Sequence, residues 1–216
     1  MSSSKAPPAV LAEAERLHVS RESWRRIEQF VELLLTWQQR INLISPASIP
    51  QIWERHVLDS LQVLPLIPID TKAVADLGSG SGFPALPLAI ASGLAFHLYE
   101  SNNKKAAFLR EAMRVTGCKG EVHPERLEGK TPPKGYPEVQ LVTARALAST
   151  TELLTLAEPF MKNRAQALFH KGQDVDQELT EAQKYWRIQY TKHPSLTDSQ
   201  GIILAVQEAS RDQRNP

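Results

Sequence analysis

The sequence predicts an α/β fold: a seven-stranded, mostly parallel sheet with helices on both faces, preceded by a helical N-terminal segment. Three observations predict it. The first seventy residues carry helical periodicity only, and from Lys72 onward short strand-like runs alternate with helical ones. Spaced glycines also fall between the first such strand and the helix that follows it. The 216 residues are enough to bury a sizeable core without disulfides or metal. The expected boundaries are a helical cap over residues 1–69, an α/β domain over 70–210 and a disordered tail over 211–216.

The elements follow in order. Ser20 is placed to cap a helix with Glu22 in its first turn, and Trp24, Ile27, Val31, Leu34 and Trp37 recur along it at steps of three and four. After the break at Ser45-Pro46 a second helix is expected from near Ser48 to about Leu64, with Trp53, Val57, Leu61 and Leu64 on one face. Pro65 and Pro68 end it. The tryptophans at 24, 37 and 53 read as helix-packing residues. Strands are expected at Lys72–Leu77, Ala95–Glu100, Gly120–His123, Val139–Ala144, Gln166–His170, Arg187–Lys192 and Ile202–Gln207. Helices are expected at Pro84–Ala91, Asn103–Val115, Thr151–Met161 and Asp174–Tyr185. The last two strands are joined by a turn-rich segment, 193–201, which favours an antiparallel hairpin at the sheet edge.

Composition excludes several function classes. One cysteine, Cys118, allows neither an internal disulfide nor a thiolate metal cluster. A formal net charge of +1 excludes a polycationic nucleic-acid coat, so RNA would have to be met by a local patch. The N-terminus lacks the apolar core of a secretion signal. Residues 77–99 carry no charge but hold glycines and prolines unsuited to a membrane helix. A soluble cytoplasmic protein is expected, with no membrane contact.

The most informative string runs from Ala73 through Asp76, Gly78, Gly80 and Gly82 to Phe83 and Pro84. Such glycines let the backbone turn sharply and approach a ligand, and the next helix offers free N–H groups. The following strand-like run ends in Glu100, 22 residues after Gly78, where a carboxylate can accept both hydroxyls of a ribose. A dinucleotide-binding loop needs glycine where Phe83 stands. An acid two residues before the first of three alternating glycines looks instead like the first motif of S-adenosylmethionine-dependent methyltransferases.

Absences narrow the acceptor atom. Methylation of a pyrimidine carbon needs a cysteine nucleophile, and Cys118 sits after a helix as a bystander. Methylation of an exocyclic amine uses an acid or amide before two prolines and an aromatic. Thr131-Pro-Pro-Lys134 has neither flank and reads as a rigid loop. The fourth expected strand ends instead in Thr143-Ala-Arg145-Ala-Leu-Ala148. A ring nitrogen with a free lone pair needs no base and would suit such a site. On these residues alone a small-molecule methyltransferase and a non-catalytic S-adenosylmethionine-sensing RNA binder both stay open.

Taken together, Asn42-Leu-Ile-Ser45, Arg55-His-Val-Leu-Asp-Ser60, Gly80-Ser-Gly-Phe-Pro84, Arg145-Ala-Leu-Ala148 and His170-Lys-Gly172 resemble the small-subunit ribosomal RNA guanine-N7 methyltransferases, formerly called glucose-inhibited division protein B. The resemblance runs in order along nearly the whole chain. It implies a class I, Rossmann-like methyltransferase fold that uses S-adenosyl-L-methionine on a guanine of 16S rRNA, in the free RNA or in the small ribosomal subunit or its precursor, as a monomer.

By position, the resemblance puts cofactor contacts at Gly78, Phe83, Leu127, Glu128 and Arg145. With the loop reading, Asp76, Gly80, Gly82 and Glu100 join them. Glu100 replaces the commoner aspartate, and Ala85 stands where glycine is frequent. Arg145 and Lys171, at expected strand ends, are the candidates for catalytic positioning, and Lys171 also for RNA. Lys104 and Lys105 make the helix after Glu100 basic, either as a solvated face or as an RNA contact. Arg55, His56 and Asp59 read either as a structural set or as part of the active-site mouth. No metal site is expected.

Overall fold

A computed structural model of the chain describes residues 5–127 and 137–212. Helix α1 (Pro8–Arg16) and α2 (Arg21–Gln38) open the chain, the second capped by the Ser20 hydroxyl, which accepts from the Ser23 amide. The expected helix from Ser48 to Leu64 is not one α-helix. Its prolines give a 3₁₀ segment (Pro46–Gln51), a π-helical turn follows (Trp53–Leu58), and only a short α3 (Asp59–Leu61) completes it. Pro50 has no amide hydrogen to continue an α-helix, and π turns of this kind recur at functional sites.

The α/β part runs β1 (Ala73–Leu77), α4 (Ala85–Ser92), β2 (Ala95–Tyr99), α5 (Asn103–Thr116), β3 (Lys119–His123), β4 (Leu141–Arg145), α6 (Thr150–Met161), β5 (Gln166–Lys171), α7 (Val175–Ala182), β6 (Trp186–Pro194) and β7 (Ile202–Arg211). The sheet has seven strands in the order β3-β2-β1-β4-β5-β7-β6. The first five pair in parallel; β7 is antiparallel to both β5 and β6, so the hairpin lies at the edge as expected. The strand order reverses between β1 and β4, and in open α/β sheets ligands sit beyond the strand ends at that reversal.

Alternation along the strands feeds two cores. Val74, Phe96, Leu98 and Leu141 pack with α2, α4, α5 and the 46–61 segment on one face; Ala75, Leu77, Val142 and Phe169 pack with α6 and α7 on the other. Ile27, Phe30 and Leu34 of α2 share one cluster with Phe108 and Leu109 of α5, so the N-terminal helices are continuous with the sheet's core. The tryptophans pack as read: Trp24 lies 5.5 Å from Trp53, and Trp37 lies 5.7 Å from Phe108. The expected disordered tail begins too early at 211. Arg211 ends β7 with its guanidinium over the Trp186 ring, and the buried Asp212 donates its amide to the Tyr185 carbonyl. Residues 213–216 lie outside the described residues, as do Glu128 and the 131–134 loop. No described helix is long and apolar enough to cross a membrane; the uncharged stretch 77–99 is loop, α4 and β2.

Candidate active site

The glycine loop leaves β1 at the strand reversal and is held by backbone bonds. The Ser79 amide donates to the Tyr99 carbonyl at 3.0 Å, and the Gly80 amide donates to Glu100 Oε2 at 2.9 Å. The other oxygen of Glu100 accepts the Asn102 amide at 2.7 Å, so this carboxylate ties the loop to the start of α5. Each of its oxygens keeps a lone pair for a further donor.

A cleft of about 390 Å³ opens over the loop. Gly78, Gly80, Phe83, Glu100, Leu127 and Arg145, all expected at the cofactor, line it. The cap also contributes Leu43, Ile44 and His56, of which the apolar pair had no signal in periodicity, although they fall inside one of the strings that carry the resemblance. Gly80 has φ +53°, and a Cβ there would meet nothing nearer than the Gly78 carbonyl at 3.6 Å, leaving that face open to a ligand. A carboxylate with lone pairs to spare, apolar walls at Leu127, Leu147 and Leu156 and an open glycine face fit the ribose, base and chain of S-adenosylmethionine.

Three expectations for this cleft are corrected. Asp76 does not line it. It is 1% exposed beneath the loop, accepts the Thr143 hydroxyl at 2.7 Å and supports the loop from below. Burial pushes its carboxyl up to about 6, and its second oxygen has no partner among the described residues. Gly82 faces protein, since a Cβ there would meet Leu86 at 2.6 Å, so it serves helix packing. Lys105, expected at RNA, lines the cofactor cleft, while its neighbour Lys104 is exposed outside it.

A second cleft of about 860 Å³ adjoins the first, lined by Ser48, Glu54, Arg55, Asp59, Thr197 and Asp198 among others. His56, Arg145 and Ala146 line both. Arg145 is held there by the cap. Its Nη1 donates to the Arg55 carbonyl and to Asp59 Oδ2, each at 3.0 Å, and its Nη2 donates to His56 Nδ1 at 2.7 Å. Arginine has no acceptor, so His56 Nδ1 is the bare nitrogen and Nε2 carries the hydrogen, donated to the Ser48 hydroxyl at 3.0 Å. Burial, and then the Arg145 charge, lower the His56 pKa to about 4. Below this pair lies Phe83, with the imidazole stacked on its ring at 5.0 Å and the guanidinium over it at 5.3 Å.

Asp59 is the hub. Besides Arg145, its Oδ1 accepts from Gln62 and from the Thr197 hydroxyl, each at 2.8 Å, and its carbonyl accepts from His170 Nε2 at 2.9 Å. It thus joins the cap to the ends of β4 and β5 and to the β6–β7 turn. Arg55, His56 and Asp59 thus form a bonded set around Arg145 and also line the second cleft. The Lys171 side chain is 6% exposed, ion-paired with Glu178 and donating to the Ala148 carbonyl at 3.1 Å; it does not line the cofactor cleft but lines an adjoining pocket with Asp59, Arg145 and Ala146.

The family model described as GidB, rRNA small subunit methyltransferase G, matches residues 23–205. The chain belongs to this family. A relative named ribosomal RNA small subunit methyltransferase G from Rhodopseudomonas palustris (strain BisB18) is 50% identical over 214 residues, covering 94% of this chain and 91% of its own. One of the same name from Bradyrhizobium sp. (strain ORS 278) is 50% identical over 192 residues, covering 87% and 86%. Among solved structures, an O-methyltransferase from Bacillus cereus in complex with SAH is similar with a TM-score of 0.58, covering 93% of this chain and 97% of its own at 13% identity, a likeness of fold. Four residues from the strings that carry the resemblance, Phe83, Arg145, His56 and Asp59, line one or both of the two clefts.

Proposed function

We propose that this member of the family transfers a methyl group from S-adenosylmethionine to N7 of a guanine in 16S rRNA. One observation carries the choice of acceptor: among the described residues the wall shared by the two clefts, His56, Arg145 and Ala146, holds no group free to take a proton. The bare nitrogen of His56 is occupied by an Arg145 N–H, its other nitrogen already bears hydrogen, and Arg145 has no acceptor at all. Guanine N7 brings a lone pair and no hydrogen, so nothing has to be removed.

S-adenosylmethionine, when bound, supplies an electrophilic methyl on a sulfonium. Glu100 and the loop would hold its ribose, and Leu127, Leu147 and Leu156 would pack its base. The chain's own contribution is placement: Phe83, locked by His56 and Arg145, fixes the wall against which the acceptor nitrogen and the methyl carbon line up, an effect worth several kcal/mol. The same reading has the chain act as a monomer in the cytoplasm, on 16S rRNA or on the small subunit or its precursor, without membrane contact.

The test is transfer of labelled methyl to 16S rRNA and to small subunits from a strain deleted for the gene, with the labelled base mapped. One guanine that becomes labile to reduction and amine cleavage, as 7-methylguanine is, is the expected result. Label in metabolite extracts and none in RNA would turn the reading to a small-molecule methyltransferase. RNA affinity without any turnover would turn it to a sensor.

A further inference from the structure

We infer that the second cleft receives the guanine base itself, turned out of its strand, with Arg145 on its O6 and Glu54 on its Watson–Crick edge. The inference rests on the proposed N7 chemistry and adds the residues that choose the base. Enzymes that do chemistry on a base take it out of the stack into a pocket, and about 860 Å³ lies within the range of cavities that take small ligands. The cleft has a common wall with the cofactor cleft at Arg145 and Ala146, so a base seated in it would have one edge facing the methyl.

The donors and acceptors left over at that wall match guanine. Arginine has five N–H groups. Three of Arg145's are taken by the Arg55 carbonyl, Asp59 and His56, which leaves Nε–H and one Nη2–H without a partner among the described residues. Around a guanine the edge atoms run N7, O6, N1–H and N2–H₂. A donor from Arg145 to O6 leaves N7 beside it, facing the cofactor, and turns the N1–H and N2–H₂ donors toward the rest of the cleft. Those two donors ask for a carboxylate.

Three carboxylates line the cleft, and two are engaged. Asp59 is bound by Arg145, Gln62 and Thr197, and Asp198 accepts the Gln200 amide at 3.0 Å. The Glu54 side chain makes no hydrogen bond and no ion pair among the described residues, and it belongs to the π-helical turn that also carries Arg55 and His56. Adenine would present an amine to Arg145 and a bare N1 to Glu54, opposed on both sides.

The test uses 16S rRNA carrying, at the mapped position, either guanine or inosine, which lacks only the N2 amine. Single-turnover methylation is measured for the wild type and for Glu54→Ala and Glu54→Gln. The wild type is expected to prefer guanine by about tenfold or more, the size of a lost hydrogen bond to a charged group. Both variants are expected to shrink that preference by slowing more on guanine than on inosine, which keeps its N1–H, with S-adenosylmethionine affinity by calorimetry unchanged. A wild type that handles the two bases alike, or variants that keep the preference undiminished, would overturn the role of Glu54 while leaving N7 methylation standing. A wild type that puts no methyl on guanine N7 would remove both readings.

Discussion

His56 and Asp76 show how the same burial acts in opposite directions on a base and an acid. The imidazole is held neutral down to about pH 4. An unfolded chain binds its proton at about pH 6.5, so between those values the unfolded state carries more protons. Stability from this residue is therefore complete above about pH 6.5 and is lost as pH falls toward 4, by about 2 kcal/mol once the solvent-facing part of the ring is discounted. Asp76, raised to about 6, runs the other way: its contribution is present at low pH and is lost as pH rises through 6. His56→Gln can keep both hydrogen bonds and cannot titrate. Urea unfolding at pH 8 and pH 5 should show a smaller acid loss for His56→Gln than for the wild type; equal losses would mean that the ring is not held neutral. Single-turnover methylation should also be nearly flat from about pH 7 to 8.5, above the titration of Asp76, because among the described residues the one imidazole lining both clefts is already neutral there. A sigmoidal rise abolished in His56→Gln would demand a base and dismiss N7 as acceptor. At Glu100 the expectation concerns affinity. Removing a carboxylate that both steadies Gly80 and accepts ribose hydroxyls should weaken S-adenosylmethionine binding about ten- to hundredfold in Glu100→Ala, and unchanged calorimetry would exclude the contact.

At the scale of elements, what the sequence discloses depends on how local the cause is. All seven strands and the four helices between them are legible, because period-two and helical runs and their turn residues act within a few residues. The 46–61 segment is legible as helical but not as 3₁₀ and then π, since its shape is set by where its side chains must reach. Asp59 bonds partners 86, 111 and 138 residues away, and no spacing rule encodes those. The partner of Lys171 is hidden for the same reason: a cation at a strand end reads as a ligand contact, and no spacing shows Glu178, on α7, beside it. Glu178 Oε2 also accepts the amide and hydroxyl of Thr150, each at 2.7 Å, so one carboxylate joins the end of β5 to the start of α6. Lys171→Ala should therefore cost about 1.5–3 kcal/mol of stability, seen as a lower urea midpoint, with RNA affinity at neutral pH little changed. A variant as stable as the wild type that binds RNA poorly would restore the sequence expectation.

For the whole molecule the controlling quantity is its small charge. With a net charge of +1 there is no general field to draw in RNA, so affinity must come from a few placed cations. The start of α5 separates two of them. Asn102 caps the helix by accepting both the Lys104 and Lys105 amides, which fixes the two side chains on different bearings. Lys105 lines the cofactor cleft and Lys104 stands exposed outside it. Each phosphate contact to single-stranded RNA contributes about 0.7 to the slope of log affinity against log salt. The wild-type slope should then be shallow, equivalent to a few contacts. Lys104→Ala should reduce it by about one contact and leave S-adenosylmethionine affinity alone, whereas Lys105→Ala should change cofactor affinity first. Filter binding across a salt series, with calorimetry on the same variants, reads both quantities. A steep wild-type slope would require a broad basic face that the charge balance does not provide. Loss of cofactor affinity in Lys104→Ala would mean that the two lysines are not divided between the ligands.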